Sequence, residues 1–303
     1  MKYDVVIIGA GPAGLSAAVY ARRAGLSVAV LEQNIYGGQI VNTPEVENYP
    51  GTGKTTGVEL AMALYNQAAE TGADILLEGV TEVKLTQDPK VVITTGGEYE
   101  AGAVIIANGA KRRHLGCKGE EEFSGRGVSY CATCDGAFFR GKEVSIVGGG
   151  NTALEDALFL ANNCSKVTLI HRRDQFRGSK ILADAVVVKE NIEILYDSTV
   201  EEVCGGSVVE SIRVRNKLSG EEKLLPVSAL FVAVGLSPEN SLFEGQVELS
   251  EAGYIVAGED CCTSCSGVFV AGDTRTKELR QIVTAAADGA VAATAAARWM
   301  DTH

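Results

Sequence analysis

Proline is scarce in this sequence, which has six prolines among 303 residues but 35 glycines. So little proline, with no triplet repeat, excludes collagen and low-complexity linkers. Glycine exceeds its typical usage of about 7%, which indicates tight turns and backbone that approaches ligands closely. Apolar residues make up 46% of the chain, enough for a buried core and too many for wholesale disorder. At roughly 100–200 residues per domain, the length suggests two domains.

Long apolar runs and an excess of basic residues are also absent. No stretch of 18 uncharged apolar residues occurs, because Asp288 and Arg298 interrupt the alanine-rich C-terminal segment. The first residues lack the long apolar stretch and cleavage site of a signal peptide, so we expect a cytoplasmic location. The net charge of −12 argues against nucleic acid as a partner. Residues 111–242 are nearly balanced, with 17 basic and 18 acidic groups, which is a first indication of an inserted module.

The eight cysteines are too few for a small disulfide scaffold. In a reducing compartment, a close pair such as Cys131 and Cys134 is catalytic or metal-binding rather than structural. Zinc would need two further ligands, which Cys261, Cys262, Cys265 or a histidine would have to supply. Redox chemistry needs only a thiolate, a resolving thiol and an electron source, and we favour it.

Two neighbouring features allow more than one interpretation. Asp135 follows the first pair directly and can exchange a proton with a thiol, but an N-cap or turn residue is an equally good interpretation. Cys262 and Cys265 form a second CxxC pair before an apolar strand. We interpret these two as incidental cysteines in a surface turn, with an auxiliary disulfide or metal clip as the alternative.

A dinucleotide-binding pattern opens the chain. Residues 3–9 predict a buried strand, residues 13–24 predict a helix that Gly25 ends, and an apolar run over 26–31 stops at Glu32. Between strand and helix stands Gly-Ala-Gly-Pro-Ala-Gly, which is the GxGxxG fingerprint in its βαβ context. Its glycines permit the tight turn and a close approach to a diphosphate at the helix N-terminus.

The same device occurs a second time. Residues 143–148 predict a strand, Gly-Gly-Gly-Asn-Thr-Ala fits GxGxxA, a helix follows to about residue 161, and residues 166–170 predict the next strand. The distance from the first glycine to the strand end is 23 residues in both copies. One fingerprint alone is weak, but two copies with matching spacing strongly predict two nucleotide sites.

The strand ends predict different ligands. Glu32 can accept hydrogen bonds from both ribose hydroxyls and would repel a 2′-phosphate, so the first site should hold FAD or NAD. The second copy ends in His171, Arg172 and Arg173, with Arg177 one turn further on. Guanidinium groups suit a phosphate dianion, so the second site should hold NADPH, although a solvated strand end is the plainer interpretation.

Three apolar strands ending in glycine predict how the modules are nested. They cover residues 104–109, 230–235 and 267–272, and Asp273 follows the third. An aspartate at such a strand end can bind ligand hydroxyls of a sugar or ribityl chain. The first module therefore begins before the second and resumes after it.

Together these motifs resemble the low-molecular-weight thioredoxin reductases of bacterial type, within the FAD- and NADPH-dependent pyridine nucleotide-disulfide oxidoreductases. The match covers essentially the whole chain, including the two glycine loops, the cysteine pair and Gly272-Asp273. The resemblance implies an α/β fold of two Rossmann-like, three-layer domains, with the NADPH domain inserted into the FAD domain. We expect FAD segments at 1–112 and 243–303, and an NADPH domain carrying the CxxC pair at 113–242. Asn108 departs from the family, which usually has threonine there.

The resemblance also implies contacts. Those to FAD would fall on Gly9, Gly11, Pro12, Ala13, Gly14, Glu32, Gln33, Gly38, Gln39, Asn48, Gly272, Asp273, Arg280 and Gln281. Those to NADPH would fall on Gly150, Asn151, Thr152, His171, Arg172, Arg173 and Arg177. No metal is expected.

By the family pattern, Cys134 faces the flavin, Cys131 attacks the partner's disulfide and Asp135 serves as acid. The implied reaction passes a hydride from NADPH to FAD, reduces the cysteine pair, and exchanges with thioredoxin or a similar disulfide carrier in a homodimeric enzyme. Both the nicotinamide and the cysteine pair need the flavin, so we expect a hinge near residues 110–116 and 238–243. The alternatives are a ferredoxin-dependent flavin thioredoxin reductase, a flavin dithiol oxidase, or a non-catalytic redox sensor.

Overall fold

The chain divides into two compact units in this computed structural model, which describes residues 1–43 and 45–303. The outer unit consists of residues 1–111 and 237–303, and the inner unit of residues 112–236. The boundaries predicted from the sequence, after residues 112 and 242, differ from these by one and six residues.

Helices and strands alternate over residues 2–77 and 128–195, and a run of strands follows each of these stretches. Residues 1–111 carry β1 (Lys2–Ile8), α1 (Pro12–Arg23), β2 (Val28–Glu32), α2 (Gly57–Glu70), β3 (Asp74–Leu77), β4 (Val80–Lys84), β5 (Lys90–Thr94) and β6 (Glu98–Ile106), and β7 (Ala110–Arg112) leads into the inner unit. The inner unit continues with β8 (Val128–Ser129), α3 (Ala132–Asp135), β9 (Glu143–Gly148), α4 (Asn151–Ala161), β10 (Lys166–Ile170), α5 (Lys180–Val187), β11 (Ile192–Leu195), β12 (Ser198–Gly205), β13 (Val209–Asn216), β14 (Glu222–Pro226) and β15 (Ala229–Ala233). The chain then returns through β16 (Leu236–Pro238) and ends with β17 (Val268–Val270) and α6 (Ile282–Met300).

The outer unit is built on a sheet with the strand order β3-β2-β1-β6-β5-β4, and β17 also pairs with β6. β1 lies parallel to β2 and β6, whereas β4, β5 and β6 pair antiparallel. Val5 and Ile7 pack in the core cluster that includes residues of α1 and α6, and Val6 and Ile8 pack in the cluster on the opposite face. Because both faces are covered, residues 5–8 of β1 form a continuous apolar run rather than an alternating pattern.

The inner unit is built on a parallel sheet with the order β11-β10-β9-β15-β8. One face packs against α4 in a cluster that includes Ile146, Leu154 and Leu160. On the other face, a cluster with residues of β12 and β13 completes three layers. No helix in the described parts of the chain is long and apolar enough to cross a bilayer.

Hydrogen bonds explain why the outer unit resumes before residue 242. The Asn240 side chain donates to the carbonyl oxygen of Gly253 at 2.9 Å and accepts from Thr274 Oγ1 at 2.8 Å. It also accepts from Asn108 Nδ2 at 3.1 Å. Asn240 is buried and all three partners lie in the outer unit, so residues 237–242 belong to that unit.

Candidate functional site

The first glycine loop connects β1 to α1. Gly9 has a φ of +104°, and a Cβ there would overlap the carbonyl oxygen of Ala107 at the end of β6. A Cβ on Gly14 would overlap the carbonyl oxygen of Gly9. At Gly11, by contrast, no atom lies within 4 Å of the Cβ position. Packing thus requires Gly9 and Gly14, whereas Gly11 leaves a space beside the N-terminus of α1 that suits a diphosphate.

Glu32 lies at the end of β2, and two backbone amides hold its carboxylate. The N–H groups of Ala10 and Asn34 donate to its two oxygens, each at 2.9 Å. Each oxygen keeps a lone pair that can accept from a ligand hydroxyl. Gly38 packs against the first glycine loop, because a Cβ on Gly38 would lie 3.2 Å from the Cα of Gly11.

The end of β17 lies beside the first loop. A Cβ on Gly272 would lie 2.9 Å from the Cβ of Ala13, so the segment that carries Asp273 is next to the start of α1. Arg280 Nε donates to the Asp273 carbonyl oxygen at 3.4 Å, and its guanidinium stacks 4.3 Å over the ring of Tyr254.

Further predicted residues surround this edge of the outer unit. Asn48 Nδ2 donates to Gln281 Oε1 at 3.0 Å. This bond joins the N-cap of α6 to the segment between β2 and α2. Gln33 and Gln39 are exposed. Pro12 is the first residue of α1, where its missing N–H leaves no helical bond unmade. The structure therefore brings the residues predicted for FAD to one edge of the outer sheet.

The second glycine loop connects β9 to α4 and repeats the first. A Cβ on Gly148 would lie 2.5 Å from the carbonyl oxygen of Ala233, at the end of β15. This contact corresponds to that between Gly9 and Ala107, since β15 lies beside β9 as β6 lies beside β1. Gly150, like Gly11, has no atom within 4 Å of its Cβ position.

The segment after β10 folds back onto this loop. The N–H groups of Arg177 and Gly178 donate to the carbonyl oxygen of Gly149 at 2.7 and 3.0 Å. The N–H of Ser179 donates to Asn151 Oδ1 at 2.7 Å. These bonds place Arg177 next to the N-terminus of α4.

The side chains predicted to contact NADPH at the end of β10 differ in burial, since the histidine is buried and the arginines are exposed. His171 is 5% exposed, its Nε2 lies 2.9 Å from the Gln175 carbonyl oxygen, and its ring fills the space where a Cβ on Gly149 would lie. The imidazole thus supports the glycine loop. Arg172, Arg173 and Arg177 are exposed, as is Thr152 on α4.

Cys131 and Cys134 form a disulfide with an S–S distance of 2.11 Å and a Cα–Cα distance of 5.3 Å. Cys131 is the N-cap of the short helix α3, and its Sγ accepts from the N–H of Cys134 at 3.2 Å. Both cysteines are half-buried. Gly136 lets α3 pack on α4, because a Cβ there would lie only 3.0 Å from a methyl group of Leu160.

Ser129 links Asp135 to the disulfide. Its Oγ donates to Asp135 Oδ2 at 2.6 Å and accepts from the N–H of Cys131 at 3.1 Å. Burial raises the pKa of the Asp135 carboxyl group, while the Ser129 hydrogen bond and the Arg112 guanidinium act in the opposite direction. A raised pKa favours the protonated form of this carboxyl group, which can donate a proton to a thiolate.

A second polar group includes Tyr130, the residue before Cys131. Tyr130 donates to the buried Glu120 at 3.0 Å, and its OH lies 3.0 Å from His114 Nδ1. Glu120 also accepts from the N–H groups of Leu115 and Gly116 at 2.9 and 2.7 Å. The Arg112 guanidinium stacks 5.3 Å over the Tyr130 ring. No local motif joins residues 112 to 135, so the sequence did not point to Arg112, Ser129, Tyr130 and Glu120.

The other cysteines do not form a site. Cys261, Cys262 and Cys265 are free thiols. The Sγ of Cys261 is buried 3.6 Å from the Asp288 carbonyl oxygen, and that of Cys265 lies 3.3 Å from the Leu85 carbonyl oxygen. Burial raises the pKa of Cys261 to about 12. In residues 1–43 and 45–303, no cluster of three or more His, Cys, Asp or Glu residues could hold a metal.

Comparison with known proteins decides the family. The family model for pyridine nucleotide-disulphide oxidoreductases matches residues 3–289. The chain belongs to this family. Thioredoxin reductases from Listeria innocua and Bacillus subtilis are both 44% identical to it, covering 99% and 96% of this chain and 94% and 92% of their own lengths.

A solved member of the family has the same fold. The crystal structure of thioredoxin reductase from Streptococcus pyogenes superposes with a TM-score of 0.94 at 41% identity, covering 100% of this chain and 99% of its own. These similarities place the chain among the thioredoxin reductases of this oxidoreductase family. They confirm the resemblance and the predicted fold class of two Rossmann-like domains.

Proposed function

We propose that the chain is an NADPH-dependent thioredoxin-disulfide reductase that uses FAD to pass electrons to the Cys131–Cys134 disulfide. The observation that carries the proposal is this disulfide, which lies in the same unit as a dinucleotide loop. Its family relatives named as thioredoxin reductases match nearly the whole chain. The partner is oxidised thioredoxin or a similar disulfide carrier.

The outer unit fits FAD. The space beside Gly11 would take the diphosphate, Glu32 would accept from ribose hydroxyls, and Asp273 would face the sugar-alcohol chain. FAD, when bound, supplies a centre that accepts a hydride and returns an electron pair to a disulfide. The other residues proposed to hold it are Gly9, Pro12, Ala13, Gly14, Gln33, Gly38, Gln39, Asn48, Gly272, Arg280 and Gln281.

The inner unit fits NADPH. The space beside Gly150 would take the diphosphate, close to Asn151 and Thr152. Arg172, Arg173 and Arg177 would bind the 2′-phosphate, since all three are exposed and the Arg177 backbone is bonded to the loop. His171 would keep the loop in the conformation that leaves this space open.

The cysteine chemistry requires two electrons and two protons to convert the disulfide to two thiols. The Cys131 thiolate then attacks a sulfur of the carrier's disulfide, which forms a mixed disulfide and releases the carrier's other sulfur as a thiolate. Cys134 attacks the Sγ of Cys131, which restores the disulfide and releases the reduced carrier. Asp135, held by Ser129, gives and takes the proton that these steps move.

Assembly and location form a second part of the proposal. We infer a homodimer in the cytoplasm, without a nucleic-acid or membrane partner, from the resemblance to the family and the net charge of −12. Light scattering of the purified chain tests the assembly, and a mass near twice 31.7 kDa is the expected result.

Anaerobic mixing with NADPH tests the electron donor. We expect NADPH to bleach the oxidised flavin of the wild-type chain, and of Cys134→Ser, while Cys134→Ser fails to reduce a disulfide carrier. If NADPH leaves the flavin oxidised and reduced ferredoxin bleaches it, the NADPH-dependent reaction is wrong and the ferredoxin-dependent one replaces it.

A further inference from the structure

A group of buried charges surrounds Asp288 in the middle of α6. Lys277 Nζ donates to Asp288 Oδ2 at 2.7 Å, and Arg275 donates to both oxygens of the carboxylate at 2.9 Å. Arg275 is 2% exposed, and the side chains of Asp288 and Lys277 are 8% and 5% exposed. We call Arg275, Lys277 and Asp288 the buried charge cluster.

The cluster is bonded to the first nucleotide site. Asp288 Oδ2 also accepts from the N–H of Gly272 at 2.9 Å, where β17 ends and the segment with Asp273 begins. Gly272 itself lies against Ala13 at the start of α1. On α6, a Cβ on Gly289 would overlap the Ala13 carbonyl oxygen, so the two helices meet closely beside the cluster.

The charges in the cluster do not balance. Burial opposes ionisation of Asp288, but the hydrogen bonds from Arg275 and Lys277 outweigh it and hold the pKa of the carboxyl group below its usual value. Asp288 is therefore an anion between two cations. Glu259 lies 3.4 Å from Arg275, but its side chain is 95% exposed and water screens its charge.

One positive charge thus remains in excess in a buried place. A buried charge without a partner is unfavourable, so a further anion nearby would stabilise it. In the described residues, Lys277 has no ion-pair partner besides Asp288. The space beside Gly11, close to Gly272 through Ala13, is where the proposed function places the diphosphate of FAD.

We propose that the buried charge cluster is an affinity determinant of the first nucleotide site, in which the excess positive charge carried by Lys277 favours a dinucleotide with an anionic diphosphate. The inference rests on the proposed use of FAD. Lys277 then differs from an ordinary stabilising ion pair. It lowers the stability of the protein without FAD and raises the stability of the protein with FAD bound.

The variant Lys277→Met tests this directly, because it keeps the length of the side chain and removes the charge. We expect the Kd for FAD, measured by flavin fluorescence with the full-length apoprotein, to rise about tenfold, which is the effect of a unit charge about 10 Å away at an effective dielectric constant of about 20. We expect the Tm of the apoprotein to stay level or rise. Lys84→Met, at an exposed lysine of the outer unit, should change neither value.

A lower Tm of the apoprotein together with an unchanged Kd for FAD would overturn the inference, since Lys277 would then be an ordinary structural ion pair. An unchanged Kd with an unchanged Tm would overturn it as well. The proposed function fails separately, if the wild-type chain itself does not bind FAD.

Discussion

At the scale of single residues, Gly11 and Gly14 belong to one glycine motif but have different roles, Gly11 as the N-cap of α1 and Gly14 in its first turn. The Cβ position of Gly14 overlaps the Gly9 carbonyl oxygen, whereas that of Gly11 faces open space. We expect Gly14→Ala to lower the free energy of unfolding by about 2–3 kcal/mol, because the backbone must move to admit a methyl group. Urea denaturation of the apoprotein measures this.

Gly11→Ala is the matched control for stability and the test for binding. It should change the free energy of unfolding by less than about 0.5 kcal/mol, but raise the Kd for FAD, because its methyl group would fill the space proposed for the diphosphate. Equal losses of stability in both variants would contradict this assignment of roles.

Arg112 should set the pH dependence of the cysteine chemistry through Asp135. Burial raises the pKa of Asp135, and the positive charge of Arg112 opposes that rise. In Arg112→Ala the pKa should therefore rise further, so that Asp135 stays protonated to a higher pH. Because Asp135 acts as the acid in its protonated form, we expect the alkaline limb of the pH profile of carrier reduction to move to higher pH.

Arg113→Ala provides the matched control, since Arg113 is adjacent and exposed. Its pH profile should coincide with that of the wild-type chain. A profile for Arg112→Ala that also coincides with wild type would show that Arg112 does not act on the group that titrates.

At the scale of secondary structure elements, the end of β10 should decide which nicotinamide dinucleotide is used. Arg172→Ala combined with Arg173→Ala removes two cations proposed to bind the 2′-phosphate, and each charge-assisted hydrogen bond contributes about 1.5–3 kcal/mol. We expect KM for NADPH to rise at least about tenfold, with little change for NADH. Steady-state kinetics with both donors measures the ratio.

Arg215→Ala, at an exposed arginine on β13, is the control and should leave both KM values unchanged. If the double variant raised KM for NADPH and NADH equally, the arginines would not be reading the 2′-phosphate.

The same two βαβ elements show how far the sequence predicts the structure. The first helix was predicted over 13–24 and is observed as Pro12–Arg23, and the strand predicted over 166–170 is observed as Lys166–Ile170. These predictions succeed because ligand-binding loops and buried parallel strands have strong local patterns. The antiparallel sheet of β12, β13 and β14 was not predicted, since its strands carry no such motif.

Other features could not be predicted because they depend on side-chain contacts that no local motif encodes. Ser129 binds Asp135 across the start of α3, and Asp288 binds Gly272 across 16 residues. No spacing rule identifies either pair, because the fold brings the partners together. His171 was predicted as a phosphate contact, and its burial against Gly149 follows from the return of the chain onto the loop.

At the scale of the whole molecule, the main feature is the order of the two units along the chain. A unit with a glycine loop and the disulfide is inserted into a unit with the other glycine loop. Charge balance over residues 111–242 and the repeated strand ends predicted an insertion of this kind. The exact boundary could not be read from the sequence, because it depends on the hydrogen bonds of Asn240.

We propose that electrons from NADPH leave the chain through the Cys131–Cys134 pair and pass to a disulfide carrier. The most direct measurement is NADPH oxidation with a panel of purified carriers, comparing wild type, Cys134→Ser and, as control, the exposed Cys262→Ser. We expect turnover with thioredoxin or a related carrier in wild type and Cys262→Ser, and none in Cys134→Ser. Carrier reduction by Cys134→Ser at the wild-type rate would contradict this proposal.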